Sequence, residues 1–272
     1  MKVEPSPVIT LLTDFGTADY FVAAVKGVIL TINPQVSIVD ITHEAPPQDI
    51  ESAAFTLLAC YRDFPPGTIH VAVVDPGVGS ARRPIAVSAG SYYFVGPDNG
   101  LFSYILDREP ANQVFYLAAE NHFRQSVSPS FHGRDIFAPV AAAISRGTEL
   151  AELGPQITDA VRLSPLAPEK LQNGTLRGRI INIDHFGNCI TNFTRADISD
   201  ATKPRLFVNG RVVEALRRFF GDEDRTNADE HGSKDELFAI WGSAGFLELS
   251  VNNGSAAALL NAKRGDAVTV SE

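Results

Sequence analysis

Two carboxylates, Asp14 and Asp75, stand at the ends of short, mostly apolar runs, and that placement constrains this chain more than any other feature of its sequence. An apolar run too short for a buried helix reads as a strand covered on both faces. Such runs fall at residues 8–12, 36–41, 69–74, 85–88 and 92–95. Between them lie stretches of helical spacing. Residues 20–32 place Phe21, Ala24, Val25, Val28 and Ile29 on one side, and residues 49–60 repeat the pattern. Asn33-Pro34 stops the first helix and Pro65-Pro66-Gly67 breaks the chain after the second. Two further helices are predicted over 101–106 and 136–145. Strand and helix in alternation predict an α/β domain with a mostly parallel sheet.

The pattern changes near Ser164-Pro165-Leu166-Ala167-Pro168, whose two prolines read as a linker. Beyond it, short β-like runs at 175–183, 205–208, 238–241, 246–250 and 267–270 are separated by Gly and Asn turns. We therefore expect two domains, 1–168 and 169–272, the second small and all-β. The acidic, polar stretch 221–235 reads as a mobile surface loop.

Composition narrows the function classes. A formal net charge of -9 and a pI near 5.2 argue against nucleic-acid binding, which calls for a basic face. No stretch approaches the ~20 apolar residues that span a bilayer. The first ten residues lack the apolar centre of a signal peptide, so a cytoplasmic location is expected. Cys60 and Cys189 lie far apart in apolar segments and read as core residues without a disulfide.

Four polar clusters carry the chemistry. In open α/β sheets, ligands bind outside the carboxyl ends of the strands. Asp14 leaves the first strand; a carboxylate there can accept hydrogen bonds from both hydroxyls of a ribose, or cap the next helix. The second cluster runs from Asp75 to Pro84 and contains Gly77, Gly79, Arg82 and Arg83. Its glycines permit backbone N–H groups to converge on an anion, while an Asp–Arg pair pinning the loop is the plainer alternative. Third, His132-Gly133-Arg134-Asp135 crowds three ionisable side chains before a helix. Arg134 and Asp135 also fit a salt-bridge pair. The fourth is split between Asp184-His185-Phe186-Gly187-Asn188 and two later segments, Gly242 to Glu248 and Asn252 to Ser255. Asn and backbone amides there can read a purine edge and Phe can stack on its face.

Taken in order, these clusters resemble the S-adenosylmethionine hydroxide adenosyltransferase family, relatives of the fluorinase and chlorinase enzymes. The matching stretches are Leu12 to Gly16, Val74 to Arg82, Gly96 to Leu101, Phe131 to Pro139, Asp184 to Asn188 and Asn252 to Ser255. The resemblance implies an N-terminal α/β domain, a C-terminal β-barrel, and a homotrimer with each active site between subunits. It implies that S-adenosylmethionine is a substrate, that water attacks the ribose C5′, and that neither metal nor cofactor takes part. Asp75, Arg82 and His132 match the family's polar triad beside the reacting carbon. Asp14 matches the ribose ligand, Asp184 and Ser243 the residues holding the methionine amino acid group, and Phe186 and Asn188 the adenine site. Val251 and Asn253 fall where the family offers backbone contacts to adenine. Which of Asp75 and His132 takes the water's proton is left open.

Three rival functions stand beside this reading. A halogenase would need a halide pocket, and an ionised Asp75 repels a halide; the extra N-domain loop of the fluorinase also has no room between Tyr92 and Tyr116. A metallohydrolase would draw on Asp14, Asp75, His132 and Asp135. A module that binds adenosine without turnover would leave the Asp-Arg-His set without a purpose.

Overall fold

The computed structural model describes residues 6–198, 204–220 and 237–271. The stretch 221–235, expected to be a surface loop, lies outside the described residues. The chain divides into two compact units, Met1–Pro165 and Leu166–Glu272.

Among the described residues, seven strands build the first unit: β1 (Val8–Thr13), β2 (Ser37–Thr42), β3 (Ile69–Val73), β4 (Pro84–Ala89), β5 (Tyr92–Pro97), β6 (Asn112–Tyr116) and β7 (Gln156–Ile157). They lie in the order β2-β1-β3-β5-β4-β6-β7. Its helices are α1 (Phe21–Ile32), α2 (Ile50–Cys60), α3 (Ser103–Arg108), α4 (Ala138–Ile144) and α5 (Leu150–Leu153). Ile9, Leu11, Ile69, Val71 and Val73 form a core with Val25 and Ile29 of α1 and Val140 and Ala141 of α4. Thr10 and His70 alternate with them onto the opposite face, fully buried, where Thr10 Oγ1 lies 2.8 Å from His70 Nδ1. Burial pushes the His70 imidazole down to about 4, so it stays neutral in the core. Coverage of both faces is why β1 and β3 read as nearly continuous apolar runs rather than alternating ones.

The sheet is mixed rather than mostly parallel. β2, β1, β3 and β5 pair in parallel, whereas β4, β6 and β7 join through antiparallel ladders. The cause is local: only Gly90 and Ser91 separate β4 from β5, with Gly90 at φ +59°. A two-residue connection forces a hairpin, because a parallel crossover needs a dozen residues or more.

The second unit contains β8 (Glu169–Lys170), β9 (Leu176–Ile183), β10 (Cys189–Thr194), β11 (Arg205–Val208), β12 (Arg211–Val213), β13 (Leu216–Arg217), β14 (Leu237–Trp241), β15 (Phe246–Val251), β16 (Ala267–Ser271) and the short helix α6 (Ala256–Leu260). The order is β12-β11-β16-β9-β10-β15-β14-β13, with β8 on β9. Although far apart in this order, β12 and β14 lie against each other, so the sheet curls. Among the described residues no ladder joins its end strands β12 and β13. Among its described residues the unit is therefore a curled half-barrel that carries the helix α6, where an all-β barrel was expected.

Candidate active site

The first cluster of candidate residues forms where β1 and β3 end. Asp14 follows β1, and its Oδ2 accepts the Gln48 backbone N–H at 2.9 Å. It does not cap α1, whose N-cap position is Tyr20. Two backbone bonds, Gly16 N–H to His43 O at 2.7 Å and Ala45 N–H to Thr13 O at 3.3 Å, stitch the two loops together. Asp14 is thus held by backbone and lines a cavity of about 320 Å³. Asp75, His132, Phe15, Phe131, Ser130 and Gln48 share that cavity.

Asp75, Arg82 and His132 come together. Arg82 Nη2 donates to Asp75 Oδ2 and sits 2.9 Å from His132 Nδ1. The Arg82 and Asp75 side chains keep only 7% and 5% exposure. A guanidinium only donates, so Nδ1 of His132 accepts and its ring proton is on Nε2. Burial pushes the His132 imidazole down from its ordinary value, the Arg82 charge adds to this, and Asp75 opposes it. Burial likewise raises the Asp75 carboxyl above the usual aspartate value, against the pull of Arg82. Asp75 Oδ1, Arg82 Nε and Arg82 Nη1 are buried with no hydrogen-bond partner among the described residues. One acceptor and two donors are therefore left for a small polar guest, since buried polar groups are otherwise paired.

The loops explain why these residues meet. Val78 N–H donates to Asp75 O at 3.2 Å and Ser80 N–H to Gly77 O at 3.1 Å, turning the chain back after β3. Gly79 has φ +77°, and a Cβ there would lie 2.2 Å from Pro129 O. Only glycine allows this approach between the Asp75–Arg82 loop and the segment before His132. The adjacent arginine points elsewhere: Arg83 pairs with Asp98 at 2.6 Å and Asp159 at 2.8 Å. Asp98 belongs to the stretch Gly96 to Leu101, where Asn99 Nδ2 donates to Val74 O at 2.8 Å. That stretch holds the exit of β3, and its side chains do not line the small cavity.

Asp135 is a clamp. It is fully buried, takes Arg134 at 2.7 and 2.8 Å and the Ser128 N–H at 2.9 Å, and lies 3.3 Å from Arg124. Burial raises its carboxyl, but Arg134, the Ser128 amide and Arg124 outweigh that and hold it below the ordinary value. A π-helical turn over Gly133–Phe137 precedes α4, so the helix expected over 136–145 starts within a π turn; such turns recur at functional sites. Among the described residues, no three His, Cys, Asp or Glu side chains converge as a metal-binding group.

A second cavity, about 740 Å³, lies in the second unit. Asp184, Phe186, Asn188, Ser243, Val251 and Asn253 all line it. Asp184 Oδ1 accepts the N–H groups of Phe186 and Asn188 at 2.9 and 2.8 Å, and Oδ2 accepts Asn188 Nδ2 at 2.8 Å. Gly187, at φ +86°, rests on Ser255, the N-cap of α6. This turn presents Phe186 at 75% exposure, a flat apolar face available for stacking. Trp241, Glu248 and Phe220 line the same cavity and were missed as site residues. Two signals were present: Trp241 is the chain's single tryptophan, and Glu248 is an acid inside an otherwise apolar strand pattern.

Comparison with known proteins comes down to the same two units. The family model described as SAM hydroxide adenosyltransferase N-terminal domain matches residues 9–154. Its C-terminal counterpart matches residues 178–269. An (R)-S-adenosyl-L-methionine hydrolase of Salinispora tropica is 38% identical over 276 residues, covering 98% of each chain. One from Thermus thermophilus is 38% identical, covering 93% of this chain and 95% of the relative. A fluorinase of Actinoplanes sp. is 30% identical over the full length of both, 100% of each. A crystal structure described as an uncharacterized conserved protein from Thermotoga maritima superposes with TM-score 0.87 at 33% identity, over 97% of this chain and 100% of that one.

Proposed function

The chain belongs to the SAM hydroxide adenosyltransferase family, and from that premise we propose that it hydrolyses S-adenosyl-L-methionine to adenosine and L-methionine. The observation that carries the reading is the buried Asp75–Arg82–His132 network, which shares a cavity with Asp14 through Asp75 and His132. The substrate's sulfonium is already a good leaving group, so no acid is needed to expel methionine. What the site must supply is a water held in line with C5′, and positioning of that kind contributes on the order of 7–11 kcal/mol in favourable cases.

The roles follow from the hydrogen bonds. Asp14 Oδ1 accepts from the ribose hydroxyls while Gln48 holds Oδ2. Asp75 is the base: its Oδ1 is open, whereas the one lone pair of the His132 ring is engaged by Arg82. His132 Nε2–H and the free N–H groups of Arg82 orient the water and the hydroxide character that develops on it. The C–S electron pair leaves with methionine, water's oxygen bonds to C5′, and the proton passes to Asp75. An ionised Asp75 disfavours halide in the same position.

The larger cavity suits the remainder of the substrate, with Phe186 and Asn188 for adenine, Asp184 and Ser243 for the amino acid group, and the backbone of Val251 and Asn253 for the adenine edge. The complete site combines the two cavities from neighbouring subunits of a homotrimer, as the family resemblance implies. The enzyme uses no metal and works in the cytoplasm. Incubation with S-adenosylmethionine in buffer containing chloride or fluoride should release adenosine and methionine in equal amounts. Accumulation of 5′-halo-adenosine would instead assign the halogenase reaction.

A further inference from the structure

We propose that Glu248 is a second carboxylate for the substrate's α-ammonium group, acting with Asp184 to select a zwitterionic amino acid over other sulfonium side chains. The proposal rests on the substrate assignment above and extends it to a residue the family resemblance did not supply.

The argument begins with strand alternation. In β15, Leu247 and Leu249 are fully buried in the core of the second unit, so Glu248 between them points to the other face. There it stands in register with Ile190 of β10 and Ile240 of β14, both nearly buried. An acid flanked by two isoleucines is a costly arrangement unless a cation compensates it. Burial and the neighbouring Asp184 charge raise its carboxyl above the ordinary glutamate value. Glu248 makes no hydrogen bond or ion pair among the described residues, in contrast to the heavily bonded Asp184.

The cavity sharpens the point. Its described lining contains two acids, Asp184 and Glu248, and no Lys, Arg or His. Asp184 already accepts three hydrogen bonds from its own turn, which leaves it little capacity to hold an ammonium alone. Glu248 has that capacity in full. It also seats the turn that carries Ser243, because a Cβ at Gly242 would fall 1.7 Å from Glu248 Oε1. The ammonium therefore meets Glu248 and Asp184 while Ser243 stands on the turn beside them.

The test is a binding comparison using Glu248→Gln, which keeps side-chain volume and removes the charge. Affinities are measured by calorimetry for S-adenosylmethionine, for its analogue with the amino group replaced by hydrogen, and for adenosine. We expect E248Q to weaken S-adenosylmethionine by about tenfold or more, the usual range for a charged hydrogen bond. The deaminated analogue and adenosine should bind equally to variant and wild type. Equal affinity of both proteins for S-adenosylmethionine would overturn the proposal, as would a parallel loss for all three ligands, which marks a purely structural role. Wild-type protein that binds S-adenosylmethionine but never turns it over would sink the hydrolase assignment and leave this proposal standing on the binding data.

Discussion

At the scale of single residues, Arg82 carries the most. It bridges a carboxylate and an imidazole through one nitrogen, and removing one partner of so buried a pair costs about 3–5 kcal/mol of stability. Arg82→Ala should therefore lower the melting temperature as well as turnover. His132→Ala leaves the Asp75–Arg82 pair intact and is the cleaner kinetic probe. Its kcat should fall about 100-fold or more, the range for losing one hydrogen-bond donor to developing negative charge, with adenosine affinity unchanged. Near-wild-type kcat in H132A would remove His132 from the water site. Asp14→Ala should do the reverse and weaken adenosine itself; unchanged adenosine affinity would refute the ribose role. The pH profile follows from the two shifts. Asp75 is raised above 3.8 and must be ionised to accept a proton. His132 is lowered below 6.5 and must be neutral to accept from Arg82. Both requirements are lost on acidification, so kcat/KM should fall as pH drops, through a limb set by whichever of the raised Asp75 and the lowered His132 titrates at the higher pH. A limb centred above pH 7 would contradict these assignments.

Among elements, the loop after β3 decides whether the triad exists. Gly79→Ala places a methyl 2.2 Å from Pro129 O at a positive φ, so one of the two loops must move. About 1–3 kcal/mol of stability should be lost, and turnover with it; an unchanged melting temperature would show that the loops are not locked there. Sequence patterning located β1 and β3 because coverage on both sheet faces leaves apolar runs, and α2 because Asp49 caps it through the Ser52 N–H at 3.1 Å; it read the edge strand β2 from its β-branched residues, although that strand is largely exposed. It missed β10, whose Thr191 and Asn192 look like loop residues yet are buried, bonded to Leu247 O and Leu166 O at 2.7 Å each. Hydrogen bonds of that kind are tertiary and leave no periodic trace. The hairpin at Gly90-Ser91 was likewise outweighed by the α/β alternation around it, which is how a mixed sheet was read as mostly parallel. Nine of the ten candidate site residues line one or the other of two cavities, and the tenth, Arg82, is bonded to Asp75 and His132, although the sequence offered only their order. Glu248, although it closes the Gly242–Glu248 segment, and Trp241 were not singled out because both belong to strands, where a side chain's face is set by the sheet rather than by its neighbours in sequence.

For the whole molecule, the prediction concerns the proposed sharing of one site between subunits. If each active site draws its triad from one subunit and its adenine and amino acid groups from a neighbour, two different defects complement each other. Arg82→Ala chains mixed with Asp184→Ala chains should form hybrid oligomers with activity well above either variant alone. No recovery in demonstrably mixed oligomers would mean that each chain supplies its own complete site. A chelator should leave turnover unchanged, and restoration of a chelated enzyme by a divalent ion would count for the metallohydrolase. The central claim is that water bonds to the ribose carbon, and isotope labelling tests it directly. The purified protein is incubated with S-adenosylmethionine in ¹⁸O-labelled water and the products are weighed by mass spectrometry. One ¹⁸O in the 5′-hydroxyl of adenosine, with unlabelled methionine, is the predicted result; unlabelled adenosine, or no adenosine at all, would contradict it.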